Sequence, residues 1–168
     1  MPEPLRLAPF DVYIDPLLEF QDRRLRELLA YWQEKRQGRA MPARADVNPA
    51  DIVSHLPSVF LVGAAPPACT PGDFYVRLMG TALNEMLADD YTGRTLAQGM
   101  PGKAASALAK VLGTICELRR PLRLYGHAAF LPDRIPAAIE AIVLPLSSNG
   151  TLVDMAMGEL VRRASAHA

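Results

Sequence analysis

Apolar residues recur along this chain in two rhythms, one of the helix and one of the strand. Between Asp15 and Gln37 the positions Leu18, Leu25, Leu28, Leu29 and Trp32 return near helical spacing, while Arg23, Arg24, Arg26 and Glu27 lie largely on other sides. Asp15-Pro16 is a strong helix start, with Asp as cap and proline at the first helical position, and Gly38 is the stop. Residues up to Tyr13 are expected to form a loose arm. A longer helix is predicted from about Lys103 to Arg119, where Leu108, Val111, Leu112, Ile115 and Leu118 repeat at helical intervals. Arg119 and Arg120 favour the negative end of its dipole, and Pro121 prevents continuation.

The strand rhythm appears in five places. Val59 to Gly63 is almost continuously apolar, which suits a central strand. From Phe74 the chain alternates, with Phe74, Val76 and Leu78 on one face and Tyr75, Arg77 and Met79 on the other. Gly80 breaks that strand, Thr81 is the expected N-cap, and Ala82 to Leu87 reads as a short helix with Leu83, Met86 and Leu87 inward. Thr92-Gly93-Arg94 is a turn. Leu122 to Phe130 sets Leu122, Leu124 and Gly126 against Arg123, Tyr125 and His127, and Pro132-Asp133 marks a turn. Ile139 to Leu146 and Thr151 to Val161 follow, joined by the hairpin signal Ser148-Asn-Gly150. Between helix and first strand, Arg44 and Asp46 are expected to pair in an extended connector, Asn48-Pro49 opens a short helix over Ala50 to His55, and Pro57 ends it. Strands leading directly into short helices over a sheet make a half-open apolar pocket, which suits a sensor better than a catalyst.

Composition narrows the function classes. At 168 residues, half of them apolar, one globular domain with its own core is expected. The formal net charge is zero, which argues against a broad basic face for nucleic acid. Cys69 and Cys116 form neither a disulfide framework nor a zinc pattern, so a reducing cytoplasm fits. The start of the chain carries no basic, apolar leader, and the longest apolar run, Val59 to Ala65, is far short of the roughly 20 residues of a membrane helix. Asn149-Gly-Thr151 matches a glycosylation acceptor and is read as a turn.

Candidate chemistry is sparse. His55, His127 and His167 lack metal spacing, so no metal is expected. No nucleophile elbow and no phosphate-binding glycine loop is present. Glu85, Asp89 and Asp90 cluster without a companion group and read as solvated helix and cap residues. No enzyme activity is expected.

Several blocks resemble a known family. Tyr31-Trp32, Met41-Pro-Ala-Arg-Ala-Asp-Val-Asn-Pro49, Leu56-Pro-Ser-Val-Phe-Leu-Val62, Arg77-Leu-Met-Gly-Thr81 and Asp90-Tyr-Thr-Gly-Arg94 occur in the order and spacing of the stand-alone PAS-like family of alphaproteobacteria. The resemblance covers Leu28 to Arg162. This chain departs from it at Ala88, where a glycine is frequent, and at Tyr91, usually aliphatic. The resemblance implies an α+β, PAS-like fold: a five-stranded antiparallel sheet with helices packed on one face and an added N-terminal helix. Residues 1–38 would be an arm and helix, a possible dimerisation element, and residues 39–168 the PAS-like domain.

By that resemblance the chain is a cytoplasmic bacterial sensory or regulatory module, with a ligand-free interaction adaptor as the alternative. Cleft walls are expected at Met86, Leu87, Tyr91, Leu108, Leu112 and Ile115, with Arg77 and His127 as polar anchors; Arg77 has a competing role in pinning strand to lid. The long helix contains no histidine to ligate haem, and the reactive Asn-Cys-Arg block of photochemical flavin relatives is missing, so no cofactor is expected. The stripe Leu18, Leu25, Leu28, Leu29 and Trp32 is expected to pack on the domain's own sheet, to form a homodimer interface, or to serve both roles with different ends. The expected partners are an unknown small-molecule ligand and a signalling protein, with no nucleic acid and no membrane.

Overall fold

The strand β6, Ala138–Leu146, is buried at every residue from Ile139 to Leu146, and helices pack on both of its faces. A strand covered on both sides reads as a continuous apolar run. The computed structural model describes residues 3–65, 70–127 and 137–163. Cys69, His167, the end of the third expected strand at Ala128 to Phe130, and the expected turn at Pro132-Asp133 lie outside the described residues.

The sheet is antiparallel throughout, in the order β1-β2-β5-β6-β7-β3-β4. Its five expected strands are β3 (Val59–Ala64), β4 (Phe74–Met79), β5 (Leu122–His127), β6 and β7 (Met155–Arg163). β3 lies between β7 and β4, the interior place its apolar run predicts. Two further strands, β1 (Leu5–Arg6) and β2 (Asp11–Asp15), extend the β5 edge. The loose arm is therefore a correction: Val12 and Ile14 alternate inward while Asp11 and Tyr13 face out, a short strand pattern outweighed in the sequence by the Asp-Pro signal that follows.

That signal is also corrected. Asp15 ends β2 and accepts the backbone N–H of Leu17, and helix α1 runs later, over Arg23–Arg36, with Asp22 as its side-chain cap. It stops where Gln37 turns left-handed (φ 49°), just before Gly38. Three helices occupy the middle of the chain: α2 (Thr81–Leu87), α3 (Leu96–Gly99) and α4 (Gly102–Leu118).

The helices lie on both faces of the sheet. Ile139 and Ala141 point to a cavity walled by α4. Their neighbour Glu140 points the other way and accepts the N–H groups of Gln21 and Asp22 at the entry to α1. On that second face Leu25, Leu28 and Trp32 are buried, and the Trp32 indole donates to the Pro145 carbonyl at 2.9 Å. So three of the five stripe residues pack within their own chain, one of the two roles expected for them, and Leu18 and Leu29 are half-buried against the same core.

Smaller differences have local causes. A register shift between Leu61 and Val62 turns Leu78 outward and Met79 inward, so the expected β4 alternation fails at its last residues. Gly80, not Thr81, caps α2. Asp46 pairs with Arg39 at 2.8 Å, because Arg44 turns to the Val47 carbonyl. The short helix after Asn48 is a 3-10 turn over Pro49–Ile52. β7 begins at Met155, since Asn149 Oδ1 accepts the N–H of both Thr151 and Leu152 and holds the hairpin open.

Candidate functional site

An apolar cavity of about 160 Å³ lies between the sheet and α4. Its floor is the inward set of alternate strand residues, among them Phe60, Val62, Val76, Leu124, Ile139 and Ala141. Its roof is the row Ala104, Ala107, Leu108 and Val111 of α4, which recurs at three and four residues. Leu83 and Leu87 of α2, with Tyr91 and Leu96, close one side. Leu7, Phe10 and Val12 from the N-terminal hairpin close another. No charged side chain is among the described residues of this wall, and Tyr91 carries its one phenol. A cavity with so few polar partners stays dry and favours an apolar occupant.

The sequence blocks that fix this geometry can be read residue by residue. Gly80 lies against the turn Leu56–Ser58: a Cβ there would meet the carbonyl oxygens of Leu56 and Pro57 at 2.3 Å. Its N–H donates to the Val59 carbonyl at 2.9 Å, which sets the start of α2 against β3. The segment Asp90 to Arg94 caps the outer edge of β4. Val76 N–H donates to the Arg94 carbonyl and Gly93 N–H to the Val76 carbonyl, both at 2.9 Å. Gly93 has φ 86°, a conformation that glycine adopts without strain. Arg94 donates to the Asp90 carbonyl and the Asp89 carboxylate and lies over the Tyr91 ring. Tyr91 in turn packs on Gly99, where a Cβ would come within 3.0 Å of the ring, and burial pushes its phenol pKa up. The aromatic departure at Tyr91 is thus accommodated by a missing side chain on α3.

Of the expected cleft residues, Leu87, Tyr91 and Leu108 line the cavity. Met86 is half-buried beside it without reaching its wall. Leu112 and Ile115 are fully buried on the neighbouring row of α4, where they pack into the close-packed part of the core. The helical stripe gave the right helix but not its phase, because Ala104 and Ala107 carry no strong apolar signal. Arg77 and His127 are corrections as anchors. Arg77 reaches across Gly63, the residue after cavity-facing Val62, so it lies on the opposite face of the sheet, over the Tyr75 ring at 5.6 Å. His127 is exposed on that face and 3.5 Å from Asp11. The strand residues and the N-terminal Leu7, Phe10 and Val12 escaped the sequence reading. Alternation carried the signal for the strand residues.

The buried charges also lie on the α1 face. Arg123 links Glu140 and Asp15, and His55 Nδ1 sits 2.8 Å from Glu159. Neither cluster borders the cavity. Among the described residues no group of three or more His, Cys, Asp or Glu is arranged to hold a metal ion. Cys116 is half-buried, and burial pushes its thiol pKa up. No helix among the described residues is long and apolar enough to cross a membrane.

Residues 20–161 match the sequence model of a family described as PAS domain. The chain belongs to the PAS domain family. PAS domains are sensory and regulatory modules more often than catalysts. No curated protein sequence matches this one. Among solved structures, a Vibrio cholerae VqmA dimer shares 12% identity over 70% of this chain and 52% of its own, with a TM-score of 0.48. The PAS domain of Bordetella pertussis BvgS shares 11% identity over 71% of this chain and 90% of its own, at 0.45. A Rhodobacter sphaeroides LOV protein shares 13% identity over 88% of this chain and 70% of its own, at 0.43. This PAS chain spans about half the length of the VqmA chain.

Proposed function

We propose that this PAS domain is a sensory module that holds a small molecule between sheet and α4 and reports its presence through contacts with a signalling protein. The observation that carries the reading is the cavity of about 160 Å³ with no charged group among the described residues of its wall. A domain that served only as a docking adaptor would gain stability by filling this space, since unfilled core volume costs about 24 cal/mol per Å³. Occupancy would bias whatever the wall touches. The wall includes α2, α4 and the β1–β2 hairpin, three surface elements able to present a changed face to a partner.

The test is a native mass spectrum of the chain purified from its own host cells, set against the denatured mass. The expected result is a bound species that disappears on denaturation and is missing from Ala141→Leu, which fills the cavity from the central strand. The same bound mass in both proteins would move the ligand elsewhere. Two clean apo spectra would shift the weight to the adaptor.

A further inference from the structure

The cavity has a basic neighbour. It shares Leu7 and Ala107 with a surface groove that runs between Leu7–Pro9 and the first turns of α4. Gly102, Lys103, Ser106 and Lys110 complete the groove. The two rows of α4 explain the junction. Ala104, Ala107, Leu108 and Val111 face the cavity, and the adjacent row of Lys103, Ser106 and Lys110 faces the groove. The side chains at the seam, Ala104, Ala107 and Ser106, are all small. Lys103 and Lys110 stand two turns apart, about 10 Å along the axis. Among the described residues no carboxylate lines the groove and neither lysine has an ion-pair partner. The acidic residues of the lid, Glu85, Asp89 and Asp90, are on other elements.

Volume sets the size of the apolar part. A dry cavity of about 150 Å³ takes benzene, so this one takes a body of about six carbon atoms. Among the described residues nothing in its wall can hold a charge, and the groove beside it can. We infer that the ligand is a monoanionic amphiphile, a medium-chain carboxylate whose hydrocarbon end fills the cavity and whose head lies between Lys103 and Lys110. This rests on the reading of the cavity as a ligand site and adds the ligand's class to it.

Titration calorimetry of the full chain with octanoate and with 1-octanol tests it. Octanoate is expected to bind about tenfold tighter than the alcohol at low salt, with the preference shrinking near 1 M salt, where the screening length is about 3 Å. The double variant Lys103→Glu/Lys110→Glu should lower the octanoate-to-octanol ratio by about tenfold or more, since both charges reverse sign beside the head. Arg23→Glu, on the exposed side of α1, should keep the wild-type ratio. Ala141→Leu should abolish binding of both compounds. If the alcohol binds as well as the acid and the charge reversal leaves their ratio alone, the anionic head is wrong and the cavity reading stands. If neither compound binds the wild-type chain, both readings fall.

Discussion

Arg123 donates its Nε–H to Glu140 at 2.7 Å beneath the start of α1. The same carboxylate accepts the N–H of Gln21 at 2.9 Å and of Asp22 at 2.7 Å. The same guanidinium donates to Asp15 at 2.9 Å and stacks over Tyr125. One wholly buried acid therefore fixes the entry to α1, and one arginine fixes β2 to the sheet. Glu140→Ala takes one of its two carboxylate partners from the arginine and leaves two backbone donors without their acceptor. Breaking a buried pair on one side costs about 3–5 kcal/mol, and that loss is expected in urea unfolding at pH 7. Glu140→Leu combined with Arg123→Met should recover part of it, because the guanidinium leaves together with Glu140, and Asp15, the one carboxylate of the network that loses its cation, keeps the Leu17 N–H. A double variant as unstable as the sum of the singles would count against the network.

Glu159 gives a pH dependence. It is fully buried, its Oε1 meets His55 Nδ1 at 2.8 Å, and its Oε2 has no partner among the described residues. Burial raises its pKa above the ordinary 4.5, against the lowering effect of His55. Between 4.5 and that raised value the folded chain keeps a proton that the unfolded chain has released. This group's contribution to stability therefore falls as pH rises through the window and is at its worst above it. Asp46 and Asp90, held low by hydrogen bonds, act in the opposite direction and cancel when wild type is compared with a variant. Glu159→Gln is expected to flatten the decline, measured as unfolding free energy across that range. Parallel curves for the two proteins would exonerate the residue.

Gly80 and Gly102 make a contrasting pair. A Cβ on Gly80 would collide with two carbonyl oxygens at 2.3 Å, and these are backbone atoms that cannot swing aside. Gly80→Ala should cost more than about 2 kcal/mol and lower the melting temperature accordingly. A Cβ on Gly102, at the start of α4, meets nothing within 4 Å. Gly102→Ala is expected to be neutral or to stabilise by up to about 1 kcal/mol. Equal thermal melts for the two variants would remove the steric account.

The legible parts of this fold were those where one local signal stood alone. Continuous apolar residues placed β3 inside the sheet, and helical repeats placed α4, because burial on both sides or on one stripe leaves a direct trace in the chain. The N-terminus was misread where two local signals competed. Asp15-Pro16 has the chemistry of a helix cap, but Asp15 is held by Arg123, a residue 108 positions away, and the helix waits for Asp22. Long-range ion pairs leave no periodicity. The site was half legible for a related reason. Leu87, Tyr91 and Leu108 announce themselves as apolar, whereas the seam of the cavity is made by Ala104 and Ala107, where what matters is the side chain that is missing. Arg77 and His127 stand out as polar residues in strands, yet strand parity puts them on the far face.

Leu108 and Leu112 test the cavity through stability alone. They are one helical turn apart on α4 and identical in chemistry. Leu112 is 1% exposed and does not reach the cavity, so its removal opens a new void in packed core. Leu112→Ala should cost in the upper part of the range of about 2–5 kcal/mol for such deletions. Leu108 already borders empty space and has fewer neighbours to lose. Leu108→Ala should cost about 2 kcal/mol or less, and it should enlarge the cavity so that longer hydrocarbon chains bind relatively better. Denaturant melts give the first comparison, and affinities across a series of chain lengths give the second. If Leu108→Ala proved the more damaging of the two, α4 would be packed tightly where the cavity is assigned, and no ligand could enter there without first moving the helix.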